Sequence, residues 1–155
     1  MTGCSFPSRA DDISWFLVAI AFGLCSCSSS RLVNLYPVQG PLAAQKPVPV
    51  IVGSADGISG NTGTLTLALP SGELCSGKWS SVAADVTSSS LFGRFGSAAG
   101  FSVRTGPLPG VNKAQAFFAC AQGTSIEAEF FTGGDTGNGY GVARDTNGNI
   151  YKMLF

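Results

Sequence analysis

Apolar and polar positions alternate most clearly from Thr64 to Leu69, where Leu65, Leu67 and Leu69 interleave with Thr64, Thr66 and Ala68. A period of two puts one set on each face of a strand, so this stretch is predicted to be a half-buried strand. Pro70-Ser71-Gly72 turns the chain, and from Glu73 to Ser80 the residues Cys75, Gly77 and Trp79 share a face. A hairpin of the two stretches would bring Cys75 and Trp79 to the leucine face. A second hairpin is expected over Ala114 to Phe131, with its turn at Gln122-Gly123-Thr124 and with Ile126, Ala128 and Phe130 alternating with Glu127 and Glu129. Its first arm, Lys113 to Ala121, is rich enough in alanine to be helical; Phe117, Phe118 and the strand-like partner favour a strand. The third unit is Tyr140 to Phe155, where Val142 and Ile150 flank Asp145-Thr146-Asn147-Gly148-Asn149, a turn sequence with an Asn-Gly pair. The apolar stretch Ile150 to Phe155 is expected to be a closing strand that pairs with an early one.

Elsewhere the pattern is weaker. Arg31 to Tyr36 is expected to form a first strand that stops at Pro37. Gln39 to Pro49 is proline-rich and extended or looped, and Val50 to Gly53 begins another strand. Ser80 to Ser90 reads as a loop with a short helical turn. Leu91 to Arg104 carries Phe92, Phe95, Phe101 and Val103 among glycines and is expected to hold one or two short strands before the breaker Gly106 to Gly110. With 21 glycines and short apolar runs, strands and turns are favoured over long helices. The expected fold is mainly β, a small antiparallel β-barrel or sandwich that follows an N-terminal signal-peptide helix.

That helix is expected over Ile13 to Leu24, a 12-residue apolar block. A membrane span needs roughly 20 apolar residues, so the block suits a signal-peptide core better. Leu24-Cys25-Ser26-Cys27 follows at once, and these residues resemble the lipobox of bacterial lipoproteins. Leu24 takes the −3 place, the small Ser26 the −1 place, and Cys27 the lipidated position. Cys25 fits worse, because Leu24 would then precede it. The resemblance implies a diacylglyceryl thioether on Cys27, removal of residues 1–26, and acylation of the new N-terminus, with fatty acids such as palmitate. Ser28 resembles outer-membrane sorting more than inner-membrane retention. The segment ahead of the block departs from the pattern, since Arg9 is offset by Asp11 and Asp12. The expected organisation is a signal peptide over 1–26, a short tether over 27–30 and one β-rich domain over 31–155.

The chain has five cysteines. Cys4 and Cys25 lie in the segment that would be removed and Cys27 would carry lipid. Cys75 and Cys120 then remain as one pair in an oxidising compartment. Their bridge would close a loop of about 45 residues, worth roughly 4 kcal/mol in the chain-entropy model. The alternative is two buried thiols packed as small apolar side chains.

Charged residues make up 12% of the chain and the net charge is zero, which argues against a nucleic-acid partner. There is no histidine, the commonest general base and metal ligand. No metal site, cofactor or catalytic residue is predicted. Asp145 to Asn149 lacks the glycine and glutamate spacing of an EF-hand, and Gly133 to Gly139 lacks the Gly-Lys-Ser/Thr ending of a phosphate loop. Glu127 and Glu129 would share a strand face about 7 Å apart, a spacing seen in glycosidases, but outer-face solvation accounts for them. Trp79, Tyr140 and Tyr151 read as core residues or as an aromatic binding surface.

The expected function is therefore that of a non-catalytic lipoprotein of the bacterial envelope. Lipid on Cys27 would hold it to the periplasmic face of the outer membrane, and its domain would bind an envelope protein or glycan or support envelope structure. Two alternatives stand beside this: a small carboxylate-dependent envelope hydrolase using Glu127 and Glu129, and a periplasmic inhibitor of a hydrolase.

Overall fold

Each strand of this protein has one apolar face, and eight strands bury those faces by closing into a barrel. In the computed structural model, residues 29–57, 60–83, 94–95, 97–100, 110–133 and 137–155 are described. The strands are β1 (Ser30–Gln39), β2 (Ile51–Asp56), β3 (Thr62–Ala68), β4 (Leu74–Ala83), β5 (Val111–Cys120), β6 (Ser125–Gly133), β7 (Gly139–Asp145) and β8 (Ile150–Leu154). Every strand pairs antiparallel with its sequence neighbour, and β8 returns to pair with β1. Closure leaves no free sheet edge, and it settles the choice between barrel and sandwich.

The interior is filled by matching large side chains to small ones along each ladder row. In one row Trp79 faces Ala116, Ala116 faces Ala128, Ala128 faces Ala143, and Ala143 faces Tyr151. Trp79 and Tyr151 are both buried, at 4% and 0% exposure. Three alanines on adjacent strands therefore make the room that two large aromatics occupy, as a narrow barrel requires. This explains the alanine-rich arm of the second hairpin, which is strand and not helix. Gly77 serves the same end, because a Cβ there would run into the Phe117 carbonyl. Leu65, Leu67, Phe118, Ile126, Phe130 and Met153 complete the core.

Two local expectations are corrected. β1 does not stop at Pro37 but continues to Gln39. The β1–β8 register shifts between Pro37 and Gln39, and such an irregularity accommodates a residue with no N–H to give to the ladder. Ser80 to Ala83 belong to β4 and pair with Asn112 to Gln115, so these four residues are strand and not loop. Residues 94–95 form a helical turn and 97–100 a turn, and the rest of Leu91 to Arg104, where short strands are expected, lies outside the described residues. The expected signal helix, the lipobox Leu24 and Ser26, Cys27, the stretches 84–93 and 101–109, and part of the 133–139 glycine run lie outside the described residues.

Candidate functional site

An antiparallel meander sorts its connections onto two ends. β1 begins at the upper end, which also carries the β2–β3, β4–β5 and β6–β7 connections and the end of β8. The lower end carries the other four connections, and a polar network ties all four together. Glu73, after the β3–β4 turn, accepts from Gln122 N at 2.6 Å, Thr124 N at 3.3 Å and Thr124 Oγ1 at 2.8 Å. Asn147 Nδ2, in the β7–β8 turn, donates to Thr124 Oγ1 at 3.2 Å. Asp145 accepts from Asn149 N and Asn149 Nδ2, each at 2.8 Å, and from the Tyr151 hydroxyl at 2.6 Å. Asn149 Oδ1 in turn accepts from Leu42 N at 2.8 Å in the β1–β2 connection. Gly40 lets the chain pass this close, since it has φ +96° and a Cβ there would strike Gly148 and Asn149.

The network shifts two ionisations. Burial of Glu73 acts to raise its pKa, but the hydrogen bonds from the Thr124 hydroxyl and the Gln122 and Thr124 amides outweigh it and hold the carboxyl below its ordinary value. Tyr151 is pushed well above the ordinary phenol value, by burial first and then by its hydrogen bond and proximity to the Asp145 carboxylate. The Asp145–Asn149 turn is thus a structural knot, with its carboxylate engaged by its own turn.

The upper half of the barrel is built differently. A cavity of about 120 Å³ lies between the strands there, floored by Val33, Leu65, Trp79, Phe130 and Met153. Trp79 Nε1 donates to the Asp56 carbonyl at 3.0 Å, which fixes the indole. Phe130 meets Trp79 at 6.2 Å between ring centres and Phe155 edge-on at 5.2 Å. Above this floor three inward positions are polar and neutral: Ser81 on β4, Asn112 on β5 and its ladder partner Thr132 on β6. Among the described residues, none of those lining the cavity is charged. The Arg31 guanidinium, one residue into β1, donates to Asn138 Oδ1 at 2.9 Å and joins the start of β1 to the β6–β7 connection.

Cys75 and Cys120 are direct ladder partners across β4 and β5 and form a disulfide. Of the three aromatics singled out in the sequence, Trp79 and Tyr151 are core and only Tyr140, at 42% exposure, is a surface residue. Glu127 and Glu129 both point out of the barrel wall but differ. Glu127 is exposed and 3.8 Å from Arg144. Glu129 is buried, which overturns the expectation that both carboxylates are solvated. It lies 3.8 Å from Lys113 and accepts from Gln115 Nε2 at 3.2 Å. Its ladder partner Val142 is covered by Phe95 and Ala99, and Arg94 and Arg144 both stack on the Phe95 ring. On the opposite wall Leu32, Val52 and Leu74 are exposed.

Among the described residues no group of His, Cys, Asp and Glu could hold a metal, and no helix is long and apolar enough to cross a membrane. No protein-family model, curated protein or solved structure matches this chain. Sequence reasoning missed the cavity and its collar, because Ser81, Asn112 and Thr132 break the apolar alternation that marks an inward face. It also missed Glu73 as the link between lower turns, for which only its place after a Pro-Ser-Gly turn gave a signal.

Proposed function

We propose that this protein is an envelope lipoprotein, anchored by lipid on Cys27, whose barrel is a non-catalytic binding domain. The observation that carries the reading is where β1 begins. Ser30 is its first residue and lies at the upper end. Three residues from Cys27 reach about 10 Å at most. A lipid on Cys27 would therefore hold the barrel against the membrane by its upper end, beside the cavity. The disulfide supports the same compartment, since such bonds persist where thiols are oxidised. It uses the two cysteines left after residues 1–26 are removed and Cys27 is modified. Two or three acyl chains make attachment lasting, as each buried methylene adds roughly 0.8 kcal/mol and one chain alone binds marginally.

A non-catalytic role rests on how the polar groups are used. Glu73, Asp145 and Glu129 are occupied in holding turns and walls together, and the described residues that line the cavity are neutral. The hydrolase alternative finds Glu127 and Glu129 beside one groove on the outer wall, with Lys78 and Gln115. Glu129 is bound there by Lys113 and Gln115, which suits a wall support better than an acid or base. Metabolic labelling with a fatty acid in a bacterial host tests the anchor. Label is expected in the wild type and in Cys25→Ser, and is expected to vanish in Cys27→Ser together with membrane fractionation. Label that survives Cys27→Ser would contradict the reading.

A further inference from the structure

We infer that the upper cavity binds an uncharged, single-ring aromatic molecule that carries one neutral hydrogen-bonding group, of the phenol class. The inference deepens the binding part of the proposed function and does not depend on the lipid anchor. Size comes first. Apolar cavities of about 150 Å³ hold one benzene molecule, and this one, its collar included, is about 120 Å³, room for one ring at most. A single ring fits the floor, and its substituent falls at the collar.

The chemistry of the walls narrows the class further. Trp79, Phe130 and Phe155 present a run of ring contacts at tilted and edge-on angles, the geometry in which another aromatic ring is bound well. The collar supplies the polar contact. Ser81 is only 8% exposed and lines the cavity, and its hydroxyl makes no hydrogen bond among the described residues. A buried hydroxyl is costly to leave unpaired, and native structures seldom leave one so. A ligand hydroxyl at that point pairs with it. Asn112 and Thr132, opposite each other on the next two strands, border the same space. A carboxylate in place of the hydroxyl would lose its water and, among the described residues, meet no cation on the cavity lining.

The test is a fluorescence titration of the full chain in lipid nanodiscs, with Trp15→Phe so that Trp79 is the sole reporter whether or not residues 1–26 are removed, and with empty nanodiscs as the reference. Phenol is expected to change Trp79 emission saturably and to bind at least tenfold more tightly than benzoate, with toluene between them. Ser81→Ala is expected to weaken phenol about five- to tenfold and leave toluene unchanged. Ala55→Leu, which fills the cavity, is expected to abolish both responses, and its thermal melt reports whether it folds. If it does not fold, the Ser81→Ala comparison still decides. The same titration on Cys27→Ser separates the cavity from the anchor, and phenol binding there supports the cavity whether or not Cys27 carries lipid. Absence of a saturable response, equal binding of phenol and benzoate, or no effect of Ser81→Ala would each overturn the inference.

Discussion

The Tyr151 hydroxyl donates to Asp145 Oδ2 at 2.6 Å inside the lower end of the barrel, where both residues are almost wholly buried. The bond joins β8 to the last residue of β7, and Asn149 extends it to the β1–β2 connection. Tyr151→Phe keeps the ring and removes the donor. Loss of a hydrogen bond to a charged group costs about 1.5–3 kcal/mol, and urea unfolding should show that fall with an unchanged slope. The alkaline limb follows from the same bond. The folded phenol ionises above its ordinary value of about 10, so the unfolded chain loses this proton first. The contribution is whole below about pH 10 and disappears as pH rises towards the folded value. Wild type should lose stability above pH 10 more steeply than Tyr151→Phe; parallel curves would contradict the assignment.

Glu73 governs the acid side. Its folded pKa lies below the ordinary 4.5, so its contribution is complete above that pH and is lost as pH falls through the folded value. Glu73→Gln should lower the melting temperature at neutral pH and make the decline below pH 4.5 shallower. An acid limb of the same slope in both proteins would show that the Glu73 contacts with Gln122 and Thr124 do not stabilise the fold.

The disulfide joins the start of β4 to the end of β5, across a sequence separation of 45. Replacing both cysteines with alanine should cost roughly 4 kcal/mol, chiefly by freeing the unfolded chain. Equilibrium denaturation with and without reductant measures it, and the double variant should be insensitive to reductant.

How much of this was legible follows the physics of each element. The leucines at 65, 67 and 69 and the Ile126, Ala128 and Phe130 set announced their strands because an inward face that is wholly apolar leaves a period of two. The Asn147-Gly148 turn was legible because few other sequences adopt that backbone. β4 ran past its expected end because Ser81 faces inward as a collar residue, so the alternation faded while the ladder continued. Barrel closure depends on β1 meeting β8 across more than a hundred residues, which no local pattern encodes. The burial of Glu129 was hidden for the same reason, since Phe95 and Ala99 cover its neighbour Val142 from a distant segment. The proposed anchor rests on four residues, Leu24 to Cys27, and on no feature of the fold.

The two outward glutamates should respond differently. Glu129→Ala removes a buried partner of Lys113 and should cost about 3 kcal/mol. Glu127→Ala removes an exposed pair with Arg144 and should change stability by about 0.5 kcal/mol or less. Chemical denaturation of the two variants checks this. Loss of a hydrolytic activity in envelope extracts on Glu127→Ala, with the fold intact, would instead favour the hydrolase alternative.

The central claim is the anchor beside the upper end, and mass spectrometry of the mature N-terminus tests it most directly. The N-terminal peptide should begin at Cys27 and carry the added mass of a diacylglyceryl group, with a further acyl chain on its amine. An N-terminal peptide that contains an unmodified Cys27, or one that still carries Leu24 to Ser26 ahead of it, would contradict the account.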